Sequence, residues 1–238
     1  MGNKIYNCYN NYKSYIPMEI IPGILEKDWT KIKKKLEIVK PFAKSAHIDI
    51  LDGKFALNTT FLDPTPFVKY SHSSTGSGLF LELHMMVEEP IQYLKPFSDV
   101  GFKRFIGHVE CLRQPADQAE FVTKARELGE VGLAIDGQTP LTNLKVSLTD
   151  LDCVLIMTIK AGFSGQKFNP EYLKKVEILR SARDDINIEV DGGINDKTIT
   201  QAIQAGADRF VANSFIFNSP NPQEQFDILK NIAETRLR

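Results

Sequence analysis

A histidine and an aspartate stand two residues apart in the apolar run His47-Ile48-Asp49-Ile50-Leu51. In an extended strand, positions i and i+2 point to the same face. One imidazole beside one carboxylate is half of a metal site. Two other stretches can supply the rest: Leu83-His84-Met85-Met86-Val87 and Glu189-Val190-Asp191-Gly192-Gly193. Together His47, Asp49, His84 and Asp191 offer two imidazoles and two carboxylates, a donor set that suits one divalent ion such as Zn, Fe, Mn or Co. Each residue alone also fits a plainer role. A histidine in an apolar strand can be a satisfied core residue, and an aspartate before two glycines can simply form a turn.

A second group of residues suits an anion. Gly162-Phe163-Ser164-Gly165, Gly192-Gly193 and Asn213-Ser214 each follow an apolar run. Small-residue turns let backbone N–H groups converge on a phosphate. Tight turning alone would also account for any one of them.

These residues need elements that bring them together. Short apolar runs predict strands at residues 19–25, 46–49, 80–86, 104–108, 131–135, 153–158, 187–190 and 209–212. Amphipathic helical patterns lie between them, clearest at 28–39, 115–128, 170–180 and 198–205, with a closing helix over 222–238. Strands that alternate with helices predict a parallel sheet. Eight such units in 238 residues fit a closed (β/α)8 TIM barrel, which typically takes about 250. No GxGxxG follows the first strand, which weakens a dinucleotide-binding reading. In a barrel the chemistry gathers at the C-terminal strand ends, and phosphate often binds the loops after strands 7 and 8. His47, Asp49, His84 and Asp191 all fall at predicted strand ends, and that shared placement favours a site over four separate structural roles.

Composition bounds the rest. The chain is 42% hydrophobic and 25% charged with a net charge of −1. No global field attracts nucleic acid or membrane. No apolar run approaches the ~20 residues of a membrane span. The basic run Lys31 to Lys35 is interrupted by Ile32 in an amphipathic pattern, so it reads as a solvated helix face. Cys8, Cys111 and Cys153 are far apart and odd in number, as expected of free thiols in a reducing, cytoplasmic setting. Residues 1–17 read as a soluble, partly disordered extension, and residues 18–238 as one barrel domain.

Several motifs carry a family resemblance. His47-Ile-Asp49-Ile-Leu-Asp-Gly53, Asn58-Thr-Thr-Phe61, Glu82-Leu-His84-Met-Met86-Val, Gly162-Phe-Ser-Gly-Gln166-Lys-Phe168 and Val190-Asp191-Gly-Gly193 resemble, in order, the ribulose-phosphate 3-epimerases. Gly107-His108-Val-Glu110 and Val211-Ala-Asn-Ser214 match more loosely. The resemblance implies that His47, Asp49, His84 and Asp191 hold one divalent metal, which acts as a Lewis acid towards an enediolate. It implies Asp49 and Asp191 as the acid–base pair that moves the C3 proton of a ketose phosphate between faces. D-ribulose 5-phosphate and D-xylulose 5-phosphate are the substrates so implied, and the enzyme is expected to be a homo-oligomer. Met86, Met157 and Leu51 would form an apolar wall, although ordinary barrel core fits them equally well. Gly162, Phe163, Ser164, Gly165, Gly192, Gly193, Asn213 and Ser214 would bind substrate and phosphate.

The chain departs from the family pattern at several positions. Gly23 stands for a serine, Leu51 for a methionine, Ala161 for a proline, and Ser164 and Asn213 for glycines. These keep a six-carbon ketose phosphate of the allulose 6-phosphate type open as the substrate. They also motivate a different class of reading, a non-catalytic barrel that binds a sugar phosphate. A decarboxylase or hexulose-phosphate aldolase of similar fold would need Asp-x-Lys-x-x-Asp from Asp49, where this chain has Leu51 and Lys54.

Overall fold

The computed structural model describes residues 17–71 and 78–235. The expected extension therefore lies, but for Pro17, outside the described residues, as does Cys8. Eight strands form one closed, all-parallel barrel in chain order: β1 (Glu19–Ile24), β2 (Ser45–Leu51), β3 (Phe80–Met86), β4 (Phe102–His108), β5 (Glu130–Ile135), β6 (Cys153–Met157), β7 (Asn187–Asp191) and β8 (Arg209–Ala212). Pairing of β1 with β8 closes the ring, with Glu19 opposite Arg209 and Ile21 opposite Val211. The TIM barrel read from the sequence is the fold observed.

Among the described residues, seven α-helices pack outside: α1 (Trp29–Val39), α2 (Ile91–Asp99), α3 (Pro115–Arg126), α4 (Leu173–Ala182), α5 (Thr198–Ala205), α6 (Ser214–Phe217) and α7 (Pro222–Thr235). Asp28 caps α1 by accepting the Lys31 N–H at 3.0 Å, satisfying one of the orphan donors at a helix start. Ile32, Leu36 and Val39 turn inward from α1 while Lys31, Lys33 and Lys34 face solvent, as the basic run predicts. Lys35 is the exception, half-buried and paired with Glu26 at 2.9 Å.

Three differences from the sequence reading have local causes. Helix α2 was not foreseen, because Pro90 and Pro96 flank and interrupt it and proline reads as a breaker. No α-helix connects β5 to β6; two 3₁₀ turns, Leu141–Asn143 and Leu148–Asp150, replace it. Helix α4 begins at Leu173 because Pro170–Tyr172 first forms a 3₁₀ turn capped by Asn169.

The core has two parts. Side chains on the outer faces of the strands pack against the helices, with Phe67, Phe97, Phe102, Phe105 and Phe121 fully buried among them. Leu51, Met86, Ile106, Ala134, Cys153, Leu155 and Met157 fill part of the barrel interior. The remaining interior is charged: Glu82, Arg104 and Glu189 are buried there on β3, β4 and β7. Among the described residues, no helix is long and apolar enough to cross a membrane.

Candidate active site

Strand β2 runs two residues past Asp49, so His47 and Asp49 lie inside the strand and Leu51 is its last residue. Asp191 is likewise the last residue of β7. Register then builds the site. His47 lies opposite Glu82, and Asp49 opposite His84, while Asp191 lies opposite Met157 and Val211.

The ligand atoms of His47, Asp49, His84 and Asp191 lie within 4.8 Å of one another. His84 Nδ1 is 2.8 Å from Asp49 Oδ1 and 4.0 Å from Asp191 Oδ2. His47 Nε2 is 3.2 Å from the same Asp49 oxygen. The two carboxyl groups have opposite fates. Burial disfavours the Asp49 charge, but the His47 and His84 imidazoles outweigh it and hold the carboxyl down to about 2. Burial, and then the charge of Asp49, push Asp191 up to about 7. Two buried carboxyls repelling across a pair of imidazole nitrogens form a cradle that a divalent cation would relieve. The donor chemistry therefore fits the metal read from the sequence.

His47 is also among a second buried group, with Glu82 and Glu189. Its Nδ1 is 2.6 Å from Glu82 Oε1 and 3.3 Å from Glu189 Oε1. Here the positive charge is already supplied. Arg104 bonds Glu82 through Nη1 and reaches Glu130 Oε2 through Nε at 2.8 Å. This group supports His47 rather than a second ion. Its importance can be measured through Arg104, of which 3% remains exposed. Arg104→Met should cost about 3–5 kcal/mol in denaturant unfolding, because it strands the buried Glu82 charge. A loss below ~1 kcal/mol, the scale of an exposed pair, would show that the network is not what holds this layer.

Above these residues opens a cleft. Asp49, Met86, Met157, Gly162, Phe163, Ser164, Gly165, Asp191, Gly192, Gly193, Asn213 and Ser214 all line it. Twelve residues singled out from the sequence thus meet at one mouth, with His47 and His84 fully buried next to Asp49. Leu51 packs in the interior cluster with Met86 and Met157. It is fully buried.

The substituted loop positions keep workable backbones. Positive φ among the described residues is confined to glycines, so Ser164 needs no left-handed conformation, and Asn213 has φ −108°. Glycine is required at 192, where φ is +115° and a Cβ would come within 2.4 Å of Ile159 Cγ1. The Asn213 side chain is held from behind, its Oδ1 accepting from Lys35 Nζ at 3.2 Å.

Sequence reasoning missed the supports. Glu82 and Glu189 each precede a named residue by two positions, the same spacing that joins His47 to Asp49. Extending that alternation one step back along β3 and β7 would have found them. Arg104 and Glu130 carry no such signal, since they matter only through pairing across strands.

A sequence model described as the Ribulose-phosphate 3 epimerase family matches residues 19–217. Ribulose-phosphate 3-epimerase of Schizosaccharomyces pombe is 33% identical over 218 residues, covering 91% of this chain and 94% of that protein. The protein of the same name in Synechocystis is 33% identical over 223 residues, covering 89% and 93%. A cytoplasmic isoform from Oryza sativa subsp. japonica is 32% identical over 220 residues, covering 91% and 94%. Among solved structures, 3-hexulose-6-phosphate synthase from Salmonella typhimurium superposes with a TM-score of 0.69 at 13% identity, covering 92% of this chain and 99% of that one. A 3-keto-L-gulonate-6-phosphate decarboxylase from Vibrio cholerae does so at 0.66 and 13%, covering 93% and 99%. At such identity these two likenesses speak for the fold alone.

Proposed function

The chain belongs to the ribulose-phosphate 3-epimerase family, and from that premise we propose that it is an isomerase that epimerises C3 of a ketose phosphate. D-ribulose 5-phosphate and D-xylulose 5-phosphate are the proposed pair. The observation that carries this reading is the placement of Asp49 and Asp191, on β2 and β7, in one cleft with two imidazoles beside them.

Inverting C3 needs a proton removed from one face and another delivered to the opposite face. One aspartate takes the C3 proton, and the C–H electrons move into the C2 carbonyl to give an enediolate. The other aspartate, protonated, then delivers its proton to C3 from the far side. Which carboxyl begins as the base depends on direction, and the two titrate as a coupled pair. His47, Asp49, His84 and Asp191 would hold one divalent metal (Zn, Fe, Mn or Co), which supplies Lewis acidity towards the developing oxyanion charge. Met86 and Met157 present polarisable, apolar surface to the reacting centre. Backbone N–H groups of residues 162–165, 192–193 and 213–214 would receive the phosphate. Chain organisation follows from this: a barrel domain over residues 18–238 with 1–17 as an extension. The resemblance supports a homo-oligomer, and the name of the rice relative supports a cytoplasmic setting.

The reading is tested by incubating the protein with D-ribulose 5-phosphate and a panel of six-carbon ketose phosphates and identifying the products. Xylulose 5-phosphate as the fastest-formed product supports it. Turnover of a six-carbon ketose alone would move the assignment to the allulose 6-phosphate type. Gly23 lines the cleft where the resemblance expects a serine hydroxyl, and this lost polar contact keeps that substrate in the panel; the space a Cβ would take there is already filled by Val211, whose Cγ1 would lie 2.7 Å from it.

Metal uptake should depend on pH in a stated direction. Asp191, raised to about 7 in the metal-free site, must lose its proton to become a ligand. His47, raised above its ordinary value by Asp49, Glu189 and Glu82 against the opposing effect of burial, must lose one too. Zinc affinity from chelator competition is therefore expected to rise with pH up to and beyond about 7. A flat profile would mean that neither proton is displaced.

A further inference from the structure

Each candidate ligand imidazole has a second nitrogen that faces away from the cation cradle, and the two are held differently. His47 Nδ1 meets the Glu82 carboxylate directly at 2.6 Å. His84 Nε2 meets another imidazole, His108 Nε2, at 2.8 Å. His108 Nδ1 in turn lies 2.8 Å from Glu110 Oε2, and Glu110 Oε1 accepts the Asp136 N–H at 2.8 Å. His84 and His108 are stacked, with ring centroids 4.9 Å apart at 25°, and Phe55 covers His108 at 4.7 Å. His108 is fully buried.

The proton positions along this row follow by elimination. Glu110 is ionised, its carboxyl held down to about 2 by His108 and the Asp136 N–H against the opposing effect of burial. An ionised carboxylate only accepts, so His108 Nδ1 must carry a proton and donate it. A cation on His84 Nδ1 needs that lone pair bare, which leaves the His84 ring proton on Nε2 and makes His108 Nε2, facing it at 2.8 Å, the acceptor. Two ring nitrogens 2.8 Å apart need one proton between them, so that proton belongs to His84 Nε2. With a cation bound, His84 Nδ1 is the nitrogen whose lone pair is engaged, and it is the one turned to Asp49 and Asp191.

We infer that His108 is a positioning residue: backed by Glu110, it fixes the proton of His84 on Nε2 and so presents Nδ1 to the divalent metal. This rests on the metal site proposed above. It also distinguishes the two ligand rings. A carboxylate backs His47, whereas another imidazole backs His84. A partner of this kind commonly matters about 10–100-fold in metal affinity.

The test has two arms. In the first, histidine-15N-labelled protein is examined by ring 1H–15N correlation at neutral pH, metal-free and loaded with zinc. His84 is expected to carry a proton on Nε2 in both states, and His108 on Nδ1. A bare His84 Nε2 in either state overturns the inference. In the second arm, zinc affinity is measured by chelator competition. His108→Phe keeps a stacked ring but offers no acceptor, and should weaken zinc about 10–100-fold. His108→Gln places an acceptor where Nε2 stood, and should recover most of that loss. A folded His108→Phe protein with wild-type zinc affinity overturns the inference. If His108→Phe fails to fold, the resonances of the wild-type protein still decide. Wild-type protein that binds no zinc, iron, manganese or cobalt would remove the metal reading instead, while the metal-free spectrum still tests the proton assignment.

Discussion

Asp191→Asn is expected to leave the barrel folded and to lower turnover by about 10²–10⁴-fold, the usual worth of a lost acid or base. The amide has the shape of the carboxyl group but cannot take up or release a proton in this pH range. Stability should move the other way from activity. Burial and the Asp49 charge raise Asp191 to about 7, above the ~3.9 of an unfolded aspartate. The folded state therefore holds a proton that the unfolded state has lost. As pH rises from about 4 to about 7, the unfolded aspartate ionises while the folded one keeps its proton, so stability falls, and the full cost is present above about 7. The asparagine variant never bears that cost. In chelator-treated protein, its melting temperature should equal or exceed that of the wild type above neutral pH and converge with it in acid. Near-wild-type turnover would remove Asp191 from the proton-transfer pair. A strongly depressed melting temperature would show that its carboxylate serves the fold.

Stripping divalent ions is expected to suppress turnover on the order of 10³-fold, since Lewis-acid stabilisation is worth several kcal/mol of barrier. Returning one ion per chain should restore it. The geometry makes this demand specific. Asp49 and Asp191 face the same pair of imidazole nitrogens within 4.8 Å, and a site that merely held carboxylates for structure would not need to crowd them so. Full activity in metal-free protein would leave the two histidines without the role given to them here. Measuring metal content and activity on the same samples separates lost metal from lost fold.

Much of the barrel could be read directly. Period-two strands and the short loops after them brought His47, Asp49, His84, Asp191 and the glycine turns to one mouth, because strand direction and register follow from alternation. Leu51 falls on the same strand face as Asp49 and His47, and its packing against Met86 and Met157 depends on barrel shear, which no local pattern encodes. Helix α2 was hidden by prolines that its packing tolerates, a case of tertiary context overriding propensity. The supports were hidden for a different reason. Arg104 matters through Glu82 and Glu130 on neighbouring strands, and His108 through a ring on the adjacent strand. Such pairings become visible only when the barrel closes. The Asn213 substitution is the reverse case. The sequence marked it as a departure, and the backbone at φ −108° shows that glycine was never needed there.

The central claim is that in this cleft one aspartate removes the C3 proton of a ketose phosphate and a second delivers another proton to the opposite face. The most direct measurement is incubation with D-ribulose 5-phosphate in deuterated water, followed by NMR of the recovered sugars. The account predicts xylulose 5-phosphate carrying deuterium at C3, with incorporation falling in step with turnover in the Asp191→Asn protein. Absence of C3 exchange from metal-loaded wild-type protein, with this substrate and with every six-carbon ketose phosphate tried, would contradict it and leave a barrel that binds a sugar phosphate without turning it over.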